Sequence, residues 1–251
     1  MSPAPQRVAL VTGSSTGLGK AIALNLGRRG MRVGLNYFNN TERAERTFDE
    51  FRSAGGQGML VKADASDEAG VKQMVAQVSE KLGPVDVLVV NATPDQPLKP
   101  IEEYGWEFYQ SMIDFFIKSP YLLTRACLPH MKQQRWGRIV NITSEVFQLG
   151  VAPFSAYVAA KGGQVGFSRS MARELAPFGI TVNMIAPGWI PVERHEKDPA
   201  EMKDAYFSRI PAGRWGTPDD VAEAAAYLVS EGAGFVTGQS LSVNGGMTQA
   251  G

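Results

Sequence analysis

The sequence predicts an α/β fold, a single-domain doubly wound (Rossmann-type) parallel sheet with helices on both faces, and two observations carry that prediction. Strand-like apolar runs alternate strictly with helical patterns, and the strands are apolar throughout rather than half polar, as strands covered on both faces must be. The first strand also runs into a glycine-rich turn at the mouth of the first helix, TGSSTGLG at positions 12–19. That arrangement cradles a phosphate against a helix N-terminus.

The elements follow in order. Residues 7–12 (RVALVT) are rich in apolar and β-branched side chains and are closed by Gly13, which reads as a buried strand. The helix after it carries Ala21, Ile22, Leu24 and Leu26 and stops at Gly30, in the manner of a C-cap glycine. Further strands are expected at 31–37, 58–62, 85–91, 137–143, 180–186 and 240–243, and helices at 41–54, 67–82, 101–133, 155–178 and 218–230. Residues 189–216 break the rhythm with charge, proline and aromatics, and are read as a substrate lid on one nucleotide-binding and catalytic domain spanning 1–251.

Composition narrows the partners. With 44% hydrophobic and 20% charged residues, and 25 basic against 25 acidic side chains, the chain lacks the positive field of a nucleic-acid binder or polybasic membrane anchor. No apolar run is long enough to span a bilayer. Cys127, the single cysteine, allows no internal disulfide and fits a reducing compartment, while residues 1–7 lack the layout of a signal peptide. A cytoplasmic location and a small-molecule substrate are expected, with no nucleic-acid or membrane partner. His130 and His195 have no ligand spacing around them, so no metal is expected.

In the glycine turn, Gly13 permits the tight bend, Gly17 the close approach of a pyrophosphate, and Gly19 the packing of helix on strand, with Ser15, Thr16 and Leu18 supplying the intervening backbone. Tyr157 and Lys161 lie four residues apart in a helical segment and so share one face, where an ammonium is expected to lower the phenol pKa. Ser144 ends the fifth strand, and ligands of open α/β sheets bind outside such carboxyl ends. Gly162 and Gly163 inside the same helix point to a close neighbour, a cofactor or a facing segment. Phe147, Leu149, Val151, Phe154, Trp189 and Ile190 suggest an apolar wall near the site.

The G-x-x-x-G-x-G spacing and motifs spread over nearly the whole length resemble the short-chain dehydrogenase/reductase family, in particular its 3-oxoacyl-[acyl-carrier-protein] reductase branch. The resemblance implies that Ser144, Tyr157 and Lys161 are catalytic: Tyr157 as acid, Ser144 as carbonyl polariser, Lys161 as pKa tuner and ribose anchor. It likewise implies cofactor contacts at the glycine loop, at Asp64 and Ala65 after the third strand, at Asn91 and Ala92 after the fourth, and at Pro187, Gly188 and Ile190 after the sixth. The second strand ends at Asn36-Tyr37-Phe38 with no acid to bind a ribose 2′-hydroxyl, and Arg43 is the nearest base, so NADPH is favoured over NAD.

Three positions depart from the family pattern. Thr93-Pro94 replaces a glycine, Val192 replaces a threonine, and Phe116 stands where the family has an active-site asparagine. The function read from the chain is hydride transfer between a nicotinamide cofactor and a carbonyl or alcohol carbon, with a ketone or 3-oxoacyl substrate. The alternative is a nucleotide-binding regulatory or scaffold protein impaired at Phe116. The length and apolarity of the helices at 101–133 and 155–178, with the family's habit of subunit contact at the C-terminal strand, lead to a homotetramer as the expected assembly.

Overall fold

A computed structural model describes residues 6–248. Most of the N-terminal stretch 1–7 therefore lies outside the described residues. Seven strands form one parallel sheet in the order β3-β2-β1-β4-β5-β6-β7. They are β1 (Val8–Val11), β2 (Arg32–Tyr37), β3 (Gln57–Lys62), β4 (Val87–Val90), β5 (Gly137–Ile142), β6 (Ile180–Pro187) and β7 (Ser240–Val243). The order reverses between β1 and β4, so a crevice opens outside their carboxyl ends, with the turns that follow each strand on either side of it.

Alternate residues of each strand feed two cores. Ala9 and Val11 of β1 face a layer that includes Ile22 and Leu26 of α1 (Gly17–Arg28) and Val221 and Leu228 of α9 (Pro218–Leu228). Val8 and Leu10 face the opposite layer, with Met74 of α3 (Glu68–Leu82), Leu123 of α5 (Ser119–Gln134) and Leu175 of α7 (Ser155–Leu175). The remaining helices are α2 (Thr41–Ser53), α4 (Trp106–Ile113), α6 (Val146–Leu149) and α8 (Ala200–Phe207).

Most sequence-derived boundaries agree to within a residue or two, but the helix expected at 101–133 is not one helix. It consists of a 3₁₀ turn at Ile101–Glu103, then α4, a π-helical turn at Asp114–Lys118, and α5. Pro120 has no N–H to give to the carbonyl of Phe116, four residues back, and the backbone adapts by a wider bond from Ser119 N–H to the Asp114 carbonyl. Pro177 acts similarly: the helix expected over 155–178 leaves α geometry after Leu175 and ends as a 3₁₀ turn, Ala176–Phe178. Residues 189–216 contain α8, eight residues long and too short for periodicity to reveal.

Candidate active site

The glycine loop is held rigidly from below. Gly13 N–H donates to Asn36 Oδ1 at 3.2 Å, and the Asn36 amide donates to the carbonyls of Val61 (3.3 Å) and Ala63 (3.0 Å). Asn36 is buried, so its side chain ties the loop to β2 and β3 rather than reaching outward. From β4, Asn91 Nδ2 donates to the carbonyls of Thr12 (3.0 Å) and Gly13 (3.1 Å), while the N–H groups of Asn91 and Ala92 both reach the Thr12 hydroxyl. The Ser15 carbonyl accepts from Thr47 Oγ1 at 2.9 Å, and Leu18 packs on the core. Gly13 has φ of +62°, and a Cβ on it would lie 2.7 Å from Ala92 Cα, so the close approach of the two turns requires glycine there. Asp64 Oδ1 is engaged by the Ser66 N–H at 2.8 Å, beside buried Ala65, at the far side of the crevice.

An anion already sits on the loop. Gly17 N–H donates to Glu193 Oε2 at 3.2 Å, and the Thr16 hydroxyl also bonds this carboxylate. Burial pushes the Glu193 carboxyl up, but the bonds from its own backbone, Thr16 and Gly17, with the nearby Lys20 charge, outweigh it and leave the pKa below the usual value. The amides at the start of α1 thus accept an oxyanion in this geometry, as a pyrophosphate site must. Sequence reading missed Glu193.

Ser144, Tyr157 and Lys161 come together at the carboxyl end of β5. Tyr157 lies within reach of the Ser144 hydroxyl, and its ring lies between Phe154, stacked at 4.7 Å, and Phe116, edge-on at 5.3 Å between centroids. The expected lowering of the phenol pKa is not found. Burial is the largest influence and raises it, opposed by the Arg194 charge and the Ser144 bond. Lys161 exerts little because its ammonium turns away: Nζ donates to the Ile142 carbonyl at 2.7 Å and lies 5.6 Å from the centroid of the Tyr157 ring.

The turn after β6 is fixed by the Gly188 N–H, which donates to the Val243 carbonyl at 3.0 Å, and by Pro187, whose carbonyl accepts from Glu145 N–H at 3.2 Å. A Cβ on Gly188 would meet Tyr206 and Asn244. The Ile190 side chain is buried in the core, which leaves its backbone as the part able to face a ligand. Tyr206 of α8 donates to Glu145 and accepts from Trp189 N–H at 2.8 Å, and Asn244 donates to the other Glu145 oxygen at 3.0 Å. This buried network, unforeseen from sequence, anchors segment 189–216 to the site; burial raises the Glu145 pKa above the usual carboxylate value. The neighbours of Gly162 and Gly163 are Phe147 and Ile117, so facing segments account for both glycines. His130 pairs with Asp86 at 3.0 Å. His195 packs edge-on against Trp189, and burial, reinforced by Arg194, drives its pKa down to about 4.

A sheet of this order, with a rigid anion-accepting glycine turn and a tyrosine, serine and lysine beside it, defines a nicotinamide-dependent oxidoreductase. The chain belongs to the short-chain dehydrogenase/reductase family. Residues 13–248 match the family described as enoyl-(acyl carrier protein) reductase. The chain is 39% identical over 241 residues to the 3-oxoacyl-[acyl-carrier-protein] reductase FabG of Staphylococcus aureus, covering 95% of this chain and 97% of that protein. Among solved structures, a putative gluconate dehydrogenase from Agrobacterium tumefaciens superposes with a TM-score of 0.91 at 35% identity, over 96% of this chain and 95% of the other. A variant of actinorhodin polyketide ketoreductase with NADPH gives 0.91 at 34% identity, over 99% and 100%. Among the described residues no helix is long and apolar enough to cross a membrane, and no cluster of metal-ligating side chains occurs.

Proposed function

We propose that this enzyme reduces ketones of the 3-oxoacyl class with NADPH, using Ser144, Tyr157 and Lys161. The observation that carries the reading is the meeting of Ser144, a buried Tyr157 and a buried Lys161 at the carboxyl end of β5, beside the β1/β4 crevice. Bound NADPH supplies the hydride. Tyr157 supplies the proton to the substrate oxygen, and the raised pKa keeps it protonated at neutral pH, the form that reduction needs. Ser144, which lies beside the phenol and is oriented by the Val146 N–H at 3.3 Å, is placed to polarise the same carbonyl. Lys161 spends two of its N–H groups on Ile142 and Gln164 and keeps one for a ribose hydroxyl. The cofactor contacts proposed are the loop from Gly13 to Gly19, Asp64 and Ala65, Asn91 and Ala92, and Pro187, Gly188 and Ile190, with Asn36 acting through the loop it holds. The test is oxidation of NADPH, followed by absorbance, with a panel of 3-oxoacyl thioesters and simple ketones. Cofactor binding without turnover on any of them would favour the impaired scaffold, for which Phe116 is the supporting feature.

Arg43 supports NADPH over NADH: it is partly buried in the first turn of α2, and its Nε has no hydrogen-bond partner among the described residues. NADPH is expected to bind more tightly than NADH, and Arg43→Ala to erase the difference; equal constants in the native protein would refute this. Segment 189–216 is proposed as a lid on the one domain, with Glu193 as its contact on the phosphate site. Since a cofactor must displace that carboxylate, Glu193→Gln is expected to tighten NADPH about threefold to fivefold, the scale of an exposed charge contact. Weaker binding in a calorimetric titration would contradict it. Exposed Ile101, Trp106 and Tyr121 on one side, and Phe235 and Leu241 on another, support the homotetramer, and light scattering at micromolar concentration should give four times the protomer mass. A cytoplasmic location is proposed with it.

A further inference from the structure

Lys161 is a buried ammonium, and among the described residues no carboxylate pairs with it. Its Nζ meets the Ile142 carbonyl at 2.7 Å, the Gln164 Oε1 at 3.1 Å and the ring face of Phe116, with the centroid at 3.8 Å. The charged groups on the elements packed around it offer no compensation. The π turn brings Asp114 and Lys118, of which Asp114 is taken by the Gln110 amide at 3.2 Å. The lid brings Arg194, whose positive charge adds to burial in pulling the lysine pKa well below its usual value. Tyr157, on the same helix, is neutral when protonated. The ammonium is therefore balanced by dipoles alone.

Those dipoles are not equivalent. The Ile142 carbonyl belongs to β5 and is present whatever the side chains are, and the Phe116 ring offers only its face. Among the described residues, Gln164 contributes the one side-chain oxygen bonded to Lys161. It is 1% exposed, one helical turn beyond Lys161, although a glutamine in a helix ordinarily faces water. Its turn is pinned to the sheet: Ser168 Oγ donates to the Gln164 carbonyl at 2.7 Å and accepts from Asn141 Nδ2 of β5 at 2.9 Å.

We propose that Gln164 is a positioning residue of the reaction, whose carboxamide oxygen holds Lys161 charged and in place at the position where Phe116 offers no hydrogen bond. The inference rests on the assignment of Lys161 to the proposed site. A bond to an ammonium is about twice as strong as one to a neutral amine, so loss of the acceptor penalises the charged form more than the neutral one. Lys161 should then release its proton more readily.

The experiment follows Lys161 directly by NMR of the full-length protein labelled at lysine Cε, with the signal assigned by Lys161→Arg. Gln164→Met keeps length and volume but removes the strong acceptor, and is expected to lower the Lys161 midpoint by about one pH unit. Gln164→Glu restores the oxygen with added negative charge and is expected to raise the midpoint above that of the native protein. An unchanged midpoint in Gln164→Met overturns the proposal. Should that variant fail to fold, absence of a rise in Gln164→Glu overturns it equally. A packing role alone would leave the Lys161 midpoint where it is, because methionine fills the same space, so the midpoint itself separates positioning from packing. If the lysine midpoint moves and Lys161→Arg still reduces ketones as fast as the native protein, Gln164 still governs Lys161, and it is the assignment of Lys161 to the proposed site that fails.

Discussion

Replacing Tyr157 by Phe is expected to lower kcat for ketone reduction by at least about a hundredfold, the size of a lost general acid. The ring is fixed between Phe154 and Phe116, contacts that a phenyl group keeps, so the variant should fold and melt close to the native protein. Only the hydroxyl is lost, and with it the proton that the proposed mechanism delivers to the substrate oxygen. The NADPH dissociation constant should change little, because most of the proposed cofactor contacts lie in the glycine loop and the turns after β4 and β6. The pH profiles add a second reading. With the Tyr157 pKa raised by burial, the native enzyme should reduce ketones undiminished from neutral into mildly alkaline solution, and should oxidise alcohols faster as pH rises toward that pKa. Both dependences should vanish with the hydroxyl. A Tyr157→Phe enzyme as fast as the native one would remove Tyr157 from the mechanism, and with it the role assigned to Ser144.

What the sequence revealed, and what it hid, follows from the range of the interactions. Strands apolar on both faces are visible to a local reading, and β7 was placed residue for residue because Ser240 to Val243 is bounded by glycine-rich turns. The break at Asp114–Lys118 was overlooked although Pro120 announces it, since an apolar run on both sides still scans as helical period. The spacing of Tyr157 and Lys161 correctly put them on one helix face, but spacing says nothing of which way a long side chain turns. The carbonyl of Ile142, on a different element, decides that and with it the direction of the phenol pKa. Glu193 meets Gly17 across 176 positions of sequence, and no local pattern encodes such a contact. Gln164 lies three residues after Lys161, and only the packing of its helix against the sheet shows that its side chain is buried.

Gly19→Ala should cost the enzyme its cofactor. A Cβ at this position would lie inside 3.0 Å of two atoms at once, Asn91 Nδ2 and the Gly13 carbonyl oxygen, and neither is the free end of a flexible side chain. Asn91 is fixed by its bonds to the Thr12 and Gly13 carbonyls, and Gly13 by Asn36, so one methyl group can be admitted only by moving α1 away from the loop or by breaking the contact between β4 and β1. Either shift carries the amides at the start of α1 out of register with the pyrophosphate, and overpacking of this kind costs about 1–3 kcal/mol of stability besides. An NADPH dissociation constant raised at least about a hundredfold is expected, the scale on which small displacements of a positioned group act. Gly17→Ala is the informative control. Its Cβ would sit 3.6 Å from Val192, in ordinary contact with the protein, so the substitution should cost the fold only the strain of a left-handed alanine, about 1 kcal/mol, and any further loss of NADPH binding would report on the approach of the pyrophosphate to this glycine. If Gly19→Ala and Gly17→Ala both bind NADPH as the native protein does, the cofactor does not rest on this turn, and the site assigned to it at the β1/β4 crevice is wrong.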